Sequence, residues 1–338
     1  MLSWRERFWA EVPTWCLANL VVRNLLDNIC YLGVLLVLEI GGLAIRLMPR
    51  RFCLLIARIF ADLGFVLVYR FRQRSVQNLR IAFGAELDDG AIKATARRSL
   101  RGFFRAFAEI GIALHMPLKE SRKEIALRGK EHLDKALAKG KGVIVLSAHL
   151  GNFFLLGTRL AADGHPVQVL VKPTFGGGGR FADLMDRYRL RLGQKTIRAR
   201  PRRMAARELI KALRQNQLVI LIADEYRSRG IPVTFFGGTV LARRGVATLG
   251  MRTEAAVVPM YLVREPDGKL VVVVEPELNF VQTGRLNEDV AENTRRITQW
   301  VERVVRAYPD QWNWTVIRWQ KPAPDSSHVD EEGSRRLA

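Results

Sequence analysis

Cysteine is scarce in this chain. Three occur in 338 residues, Cys16, Cys30 and Cys53, all within the first sixth. An odd number without metal-ligand spacing argues against a disulfide framework and against a thiolate metal site, and it suits a protein body in a reducing compartment. Acidic residues are also few: 33 Asp and Glu stand against 54 Lys and Arg, a formal net charge of +21. Such an excess suits an acidic partner: nucleic acid, an anionic membrane or an acidic protein. Nucleic acid is set aside, because no segment combines a basic face with base-stacking aromatics or a known motif. A clean signal peptide is missing, since the first apolar run starts late and no small-residue cleavage site follows it. The glycine-rich "KPTFGGGGR", residues 172–180, lacks the Gly-Lys-Ser/Thr ending of a phosphate-binding P-loop and reads as a mobile loop near the site. No internal repeat is present.

Apolar residues are plentiful, at 49%, enough for a sizeable core in one large domain or two small ones. Residues 29–45, "ICYLGVLLVLEIGGLAI", form an apolar run broken only by Glu39, and a second run, 52–69, contains Arg58 and Asp62. The first is near the lower length limit for a spanning helix. Arg46, Arg50, Arg51, Arg58, Arg70, Arg72 and Arg74 follow it, and a basic exit of this kind places the main body on the cytoplasmic side. The expectation is a membrane-anchoring helical segment over 1–72. A buried helical hairpin of a soluble protein is the alternative. Residues 75–115 read as helices. Beyond 120, short β-branched runs alternate with helical stretches: strands at Val143–Ser147, Val167–Val171, Lys195–Arg198, Leu218–Ala223, Pro232–Phe236, Val257–Leu262 and Leu270–Glu275. Helices are expected at Phe153–Ala162, Phe181–Leu192, 202–215, 242–253 and 288–307. This alternation predicts an α/β domain over 73–321 with a largely parallel central sheet flanked by helices. The tail, 322–338, is polar and reads as disordered.

Ligand sites in such sheets lie beyond the carboxyl ends of the strands. "VIVLSAHLGNFFLLG", 143–157, puts His149 two residues past a strand and just before a helix containing Gly151 and Asn152 at its start. Free N–H groups and the helix dipole at such a turn favour an anion or an oxyanion. A lone histidine is more often structural, and for His115, His132, His165 and His328 that reading stands. "ADEYRSRGIPVTFFGG", 223–238, places Asp224 and Glu225 at the end of a second strand. The plainer view of these two acids is a solvated loop. "TIRARPRRMAAR", 196–207, carries five arginines in ten residues, including Arg202 and Arg203, and Arg243 and Arg244 add a basic pair. Most of these suit a solvated helix face; a docking surface for phosphate or an acidic carrier is the functional alternative.

Taken together, five stretches resemble the late acyltransferases of lipid A biosynthesis, which are grouped with bacterial lysophospholipid and phosphatidylinositol-mannoside acyltransferases. They are "RSVQNLRIAFG" (74–84), "SAHLGNFFLLG" (147–157), "LMDRYRLRLG" (184–193), "ADEYRSRGIPVTFFGG" (223–238) and "YPDQWNWTVIRWQKP" (308–322). The resemblance spans about residues 15–321. It implies a glycerolipid-acyltransferase-like fold at the bacterial inner membrane, with the catalytic body cytoplasmic and no metal or cofactor. The implied reaction transfers a fatty acyl chain from a carrier thioester, usually acyl-acyl carrier protein, to a hydroxyl of an anionic membrane lipid. Placed on this chain, His149 would be the general base, backbone N–H groups near Gly151 and Asn152 the oxyanion donors, and Arg189, Arg243 and Arg244 phosphate ligands. One departure matters. The family spacing puts a carboxylate five residues after the histidine, and this chain has Phe154 there. Either the acid is relocated or the chain is a non-catalytic lipid-binding homologue. For a relocated acid the choice is Asp224, whose strand should neighbour that of His149. Glu225 is the runner-up and Asn152 a weaker orienting group, with Phe154 an apolar wall of the acyl channel.

Overall fold

The computed structural model describes residues 32, 33, 35, 36, 39–172, 180–226, 230–315, 317 and 319. The start of the expected anchor, most of the glycine-rich loop and the tail 322–338 lie outside the described residues, as do Cys16 and Cys30. Residues 39–47 are helical. Next come α1 (Arg50–Leu67), α2 (Tyr69–Phe83) and α3 (Asp89–Ala113). Asp88 caps α3 by accepting a hydrogen bond from the Ala91 N–H at 2.7 Å.

The alternating part follows. It runs β1 (Ile125–Arg128), α4 (Lys130–Leu137), β2 (Val143–Ser147), α5 (Phe153–Ala162), β3 (Val167–Val171), α6 (Arg180–Arg191), β4 (Gln194–Arg198) and α7 (Arg202–Arg214). It continues with β5 (Leu218–Ile222), β6 (Ile231–Phe235), β7 (Gly238–Ala242), α8 (Gly245–Thr253), β8 (Ala256–Arg264), β9 (Leu270–Val274) and α9 (Leu286–Ala307). Seven strands form one sheet in the order β1-β9-β8-β2-β5-β3-β4, and β6 and β7 form a separate antiparallel hairpin. Every neighbouring pair in the large sheet is parallel except β8–β9. The expected α/β fold with a largely parallel central sheet is therefore present. Pro232–Phe236, read as a strand of the alternating pattern, instead belongs to the hairpin, and β1, α4 and β7 had no clear sequence signal.

Central strands are buried on both faces, which is why β2 reads as an unbroken apolar run. Ile144 and Leu146 join a core with α7, α8, α9 and the hairpin, while Val143 and Val145 join a second core with α4 and α5. The N-terminal helices follow a different rule. Helix α1 buries its small residues Cys53, Ala57 and Ala61, four apart on one face, and leaves Ile59, Phe60, Leu63 and Leu67 49–75% exposed. Asp62 ties α1 to α3 by accepting from Arg101 and Arg97. These hydrogen bonds, first from Arg101 and then from Arg97, hold the Asp62 carboxyl well below the usual carboxylate range. Among the described residues no single helix is long and apolar enough to cross a membrane; α1 and α2, bent by 88°, meet that length and composition only as a pair. The boundary expected at 72/73 falls within α2.

Candidate active site

Two neighbouring strands build the site by symmetry of position. β2 and β5 are adjacent and parallel, with Ser147 opposite Ile222. His149 lies two residues past the first and Asp224 two residues past the second, so they reach the same level of the sheet edge. Strand spacing of about 4.8 Å then brings the side chains within direct reach. The His149 Nδ1 to Asp224 Oδ1 distance is 2.8 Å. The His149 backbone N–H donates to Asp224 Oδ2 at 2.8 Å, and the Trp312 indole N–H donates to that same oxygen at 2.7 Å.

Asp224 is wholly buried. Burial alone would raise its pKa, but the charge of His149 and the three donated hydrogen bonds outweigh it and hold the carboxyl below its ordinary value. An ionised aspartate in this place makes His149 Nδ1 a donor and leaves the imidazole lone pair on Nε2. The imidazole remains partly open, its side chain 22% exposed. The contact expected of Asp224 is thus made. Glu225 turns elsewhere, to Lys172 at the end of β3 and to Arg243 Nε at 3.4 Å.

The loop between His149 and α5 is held from behind. Gly151 has φ +55°, and a Cβ there would meet the Leu262 carbonyl oxygen at 2.0 Å, so the position needs glycine. Its N–H donates to the Gln311 carbonyl at 2.8 Å. That commitment corrects the expectation that the Gly151 N–H serves an oxyanion. Asn152 also faces away from the histidine: its amide donates to the buried Glu109 at 3.1 Å and to the Ala106 carbonyl at 3.3 Å. It ties the loop to α3 and does not orient the imidazole.

The expected phosphate ligands divide. Arg243 contacts Glu225, the residue next to Asp224. Arg244 is exposed at the start of α8. Arg189 is drawn off: half-buried in α6, it donates to Asp186 at 3.1 Å, and Arg198 joins Asp186 and Asp183. Burial lowers its pKa despite the nearby Asp186. Its helix packs beside β4, three strands from β2. Phe154 stacks on Phe153 with ring centroids 4.2 Å apart, Phe153 meets the His149 ring at 4.9 Å, and Phe154 meets Phe107 at 6.0 Å. Apolar rings therefore fill the place where the usual spacing puts an acid.

Sequence reasoning missed Trp312, the third group of the cluster. Its signal was a tryptophan in the closing block, a residue whose N–H needs a partner when buried. Among the described residues no group of three or more His, Cys, Asp or Glu side chains is placed to hold a metal ion.

Comparisons with known proteins place the chain in a family. The family described as bacterial lipid A biosynthesis acyltransferase matches residues 24–321. A phosphatidylinositol mannoside acyltransferase of Mycobacterium tuberculosis is 27% identical over 228 residues, covering 65% of this chain and 69% of that protein. A lipid A biosynthesis acyltransferase of Haemophilus influenzae is 24% identical over 213 residues, 61% of this chain and 63% of that protein. A lipid A biosynthesis palmitoleoyltransferase of Escherichia coli is 23% identical over 256 residues, 74% and 79% of the two chains. With its family match extending from ahead of α1 to beyond Trp312, this chain belongs to the bacterial lipid A biosynthesis acyltransferases and is an O-acyltransferase.

Proposed function

We propose that the chain transfers a fatty acyl group from a carrier thioester to a hydroxyl of a lipid A precursor or a related glycolipid, with His149 as general base and Asp224 as its partner. The observation that carries this reading is the 2.8 Å contact between His149 Nδ1 and Asp224 Oδ1 at the carboxyl edge of the sheet. His149 Nε2 takes the proton as the acceptor oxygen attacks the thioester carbonyl carbon. The carbonyl electron pair moves to its oxygen, which the uncapped amino end of α5 stabilises. Collapse reforms the carbonyl and breaks the C–S bond, and the departing thiolate takes the proton back from the imidazolium. Asp224 holds the tautomer and offsets the imidazolium charge. The acyl chain lies along Phe153, Phe154 and Phe107.

The donor in this reading is acyl-acyl carrier protein, an acidic partner that suits the basic surface. Arg202 and Arg203 support it. They open α7 at the same sheet edge, exposed, with no acidic residue in the first turn. Two cations at the positive end of a helix dipole cost stability, which a docked anion relieves. The apolar outer face of α1 lies against the inner membrane from the cytoplasmic side, as the N-terminal anchoring segment of a 73–321 catalytic domain, and Arg243 and Arg244 meet phosphate on the acceptor.

The test is acyl transfer by His149→Ala and Asp224→Asn from acyl-acyl carrier protein to a lipid A precursor. Loss of transfer in both folded variants supports the reading. A folded His149→Ala with turnover within a few-fold of wild type would sink it, and a wild-type chain that transfers no acyl group would favour a non-catalytic lipid-binding role.

A further inference from the structure

The Gly151–Asn152 loop also lines a cavity of about 800 Å³ whose walls do not include His149. Two helices line it with regularly spaced arginines. α1 contributes Arg51 and Arg58, seven apart, with Leu54 and Leu55 between them; α3 contributes Arg98, Arg101 and Arg105 along one face, and Arg264 closes the end. Spacings of three, four and seven residues put each set on one helix face. Six arginines thus stand against three lining carboxylates, Glu109, Glu265 and Asp310.

The acids are already taken. Glu109 accepts from Arg105 at 3.0 Å and Arg264 at 2.5 Å, Asp310 from Arg98 at 3.2 Å, and Glu265 from Arg128 at 2.5 Å. Arg101 is held by Asp62 at 2.6 Å. Among the described residues Arg51 and Arg58 have no ion-pair partner. Both are exposed, and they belong to the helix whose outer face carries exposed Phe52, Ile56, Ile59, Phe60 and Leu63. Arginine prefers planar, multiply bonded anions such as phosphate.

We infer that this cavity is an accessory site for the phosphate of an anionic membrane lipid, separate from the acceptor site at His149, with the lipid tails lying along the apolar face of α1. The inference rests on the proposal that this face meets a membrane. A soluble acidic carrier would use the arginines but leave the adjoining apolar residues in water, which is why the lipid is favoured. Because Gly151 and Asn152 line the cavity and Asn152 is bonded to Glu109, the occupant would sit one loop away from the reacting histidine.

The experiment uses the full chain and two kinds of vesicle, phosphatidylcholine alone and an equimolar mixture with phosphatidylglycerol. Arg51→Glu/Arg58→Glu removes the two arginines without ion pairs. Lys211→Glu/Arg214→Glu makes the same charge change at the far end of α7. The expected result is binding to the mixed vesicles about ten-fold weaker for the first variant and nearly unchanged for the second, with both melting as wild type does. Equal losses in the two variants would reduce the effect to net charge, and no loss in the first would remove the site; either overturns the inference. So would weaker binding of an acidic carrier protein with vesicle binding intact. A wild-type chain that binds neither vesicle would instead overturn the membrane reading itself.

Discussion

The carboxyl edge at His149 and the face between α1 and α3 hold their charges in opposite ways. At the first, one wholly buried carboxylate accepts three donated hydrogen bonds, from the His149 ring, the His149 backbone and Trp312. A buried charge is tolerable only when satisfied in this manner, and the satisfaction fixes the imidazole in one tautomer and one direction. At the second face, arginines outnumber the lining acids, and three of them, Arg51, Arg58 and Arg98, stay open to water while Arg101, Arg105 and Arg264 are more deeply set. The exposed pair of Arg98 with Asp310 contributes little to stability, in the range of about 0–1 kcal/mol. A full complement of partners produces orientation, which catalysis needs. A surplus of cations produces attraction, which binding an anionic surface needs.

The largest effect expected at the first site is that of Asp224→Asn. Removing the carboxylate's charge while keeping its shape should lower turnover by about 10⁴, the loss known for the equivalent change in a Ser-His-Asp enzyme. Acyl transfer by the purified variant, with a melting curve to show that it is folded, checks this. Trp312→Phe comes next. It removes one of three donors from a buried carboxylate, at a stability cost of about 2 kcal/mol, with a turnover loss smaller than that of Asp224→Asn. A Trp312→Phe chain as stable as wild type would show that this hydrogen bond is not needed to keep the charge buried.

The comparison also has a pH signature. Asp224 has its folded pKa below its unfolded value. It therefore contributes stability above the unfolded value, near 3.8, that is lost as pH falls through the lower folded value. Denaturation below about pH 4 should accordingly be steeper in wild type than in Asp224→Asn; identical acid limbs would contradict the assigned ionisation. The smallest effect belongs to the exposed arginines. Neutralising Arg202 and Arg203 should raise KM for the carrier-bound donor a few-fold at low salt, leave a small acyl thioester unaffected, and fade as ionic strength rises. Equal losses with both donors at all salt concentrations would assign them a structural role.

Both regions were legible in the sequence to different depths. The α/β alternation was readable because β2, β5 and β8 are buried on both faces and so appear as continuous apolar runs. β1 and β7 were not, being short segments with exposed positions. Asp224 could be paired with His149 because each follows its strand by the same two residues, and neighbouring strands turn equal offsets into contact. Gly151, Asn152 and Arg189 misled for a common reason. Their partners, Gln311, Glu109 and Asp186, are side chains or carbonyls whose direction no periodicity reveals. Asn152 and Gly151 meet segments more than 40 positions away in the chain, α3 and the stretch around Trp312. In α1 the composition of the apolar run could be read, but not which face points out; only its packing on α3 shows small residues inward and large ones outward.

The account stands on His149 and Asp224 acting as one unit. The most direct measurement is turnover of His149→Ala, Asp224→Asn and the double variant under saturating donor and acceptor. If Asp224 works only through the imidazole, the double variant should be no slower than His149→Ala alone, because residues that act together lose their effects together. Losses that multiply in the double variant, or an Asp224→Asn enzyme as fast as wild type, would contradict it.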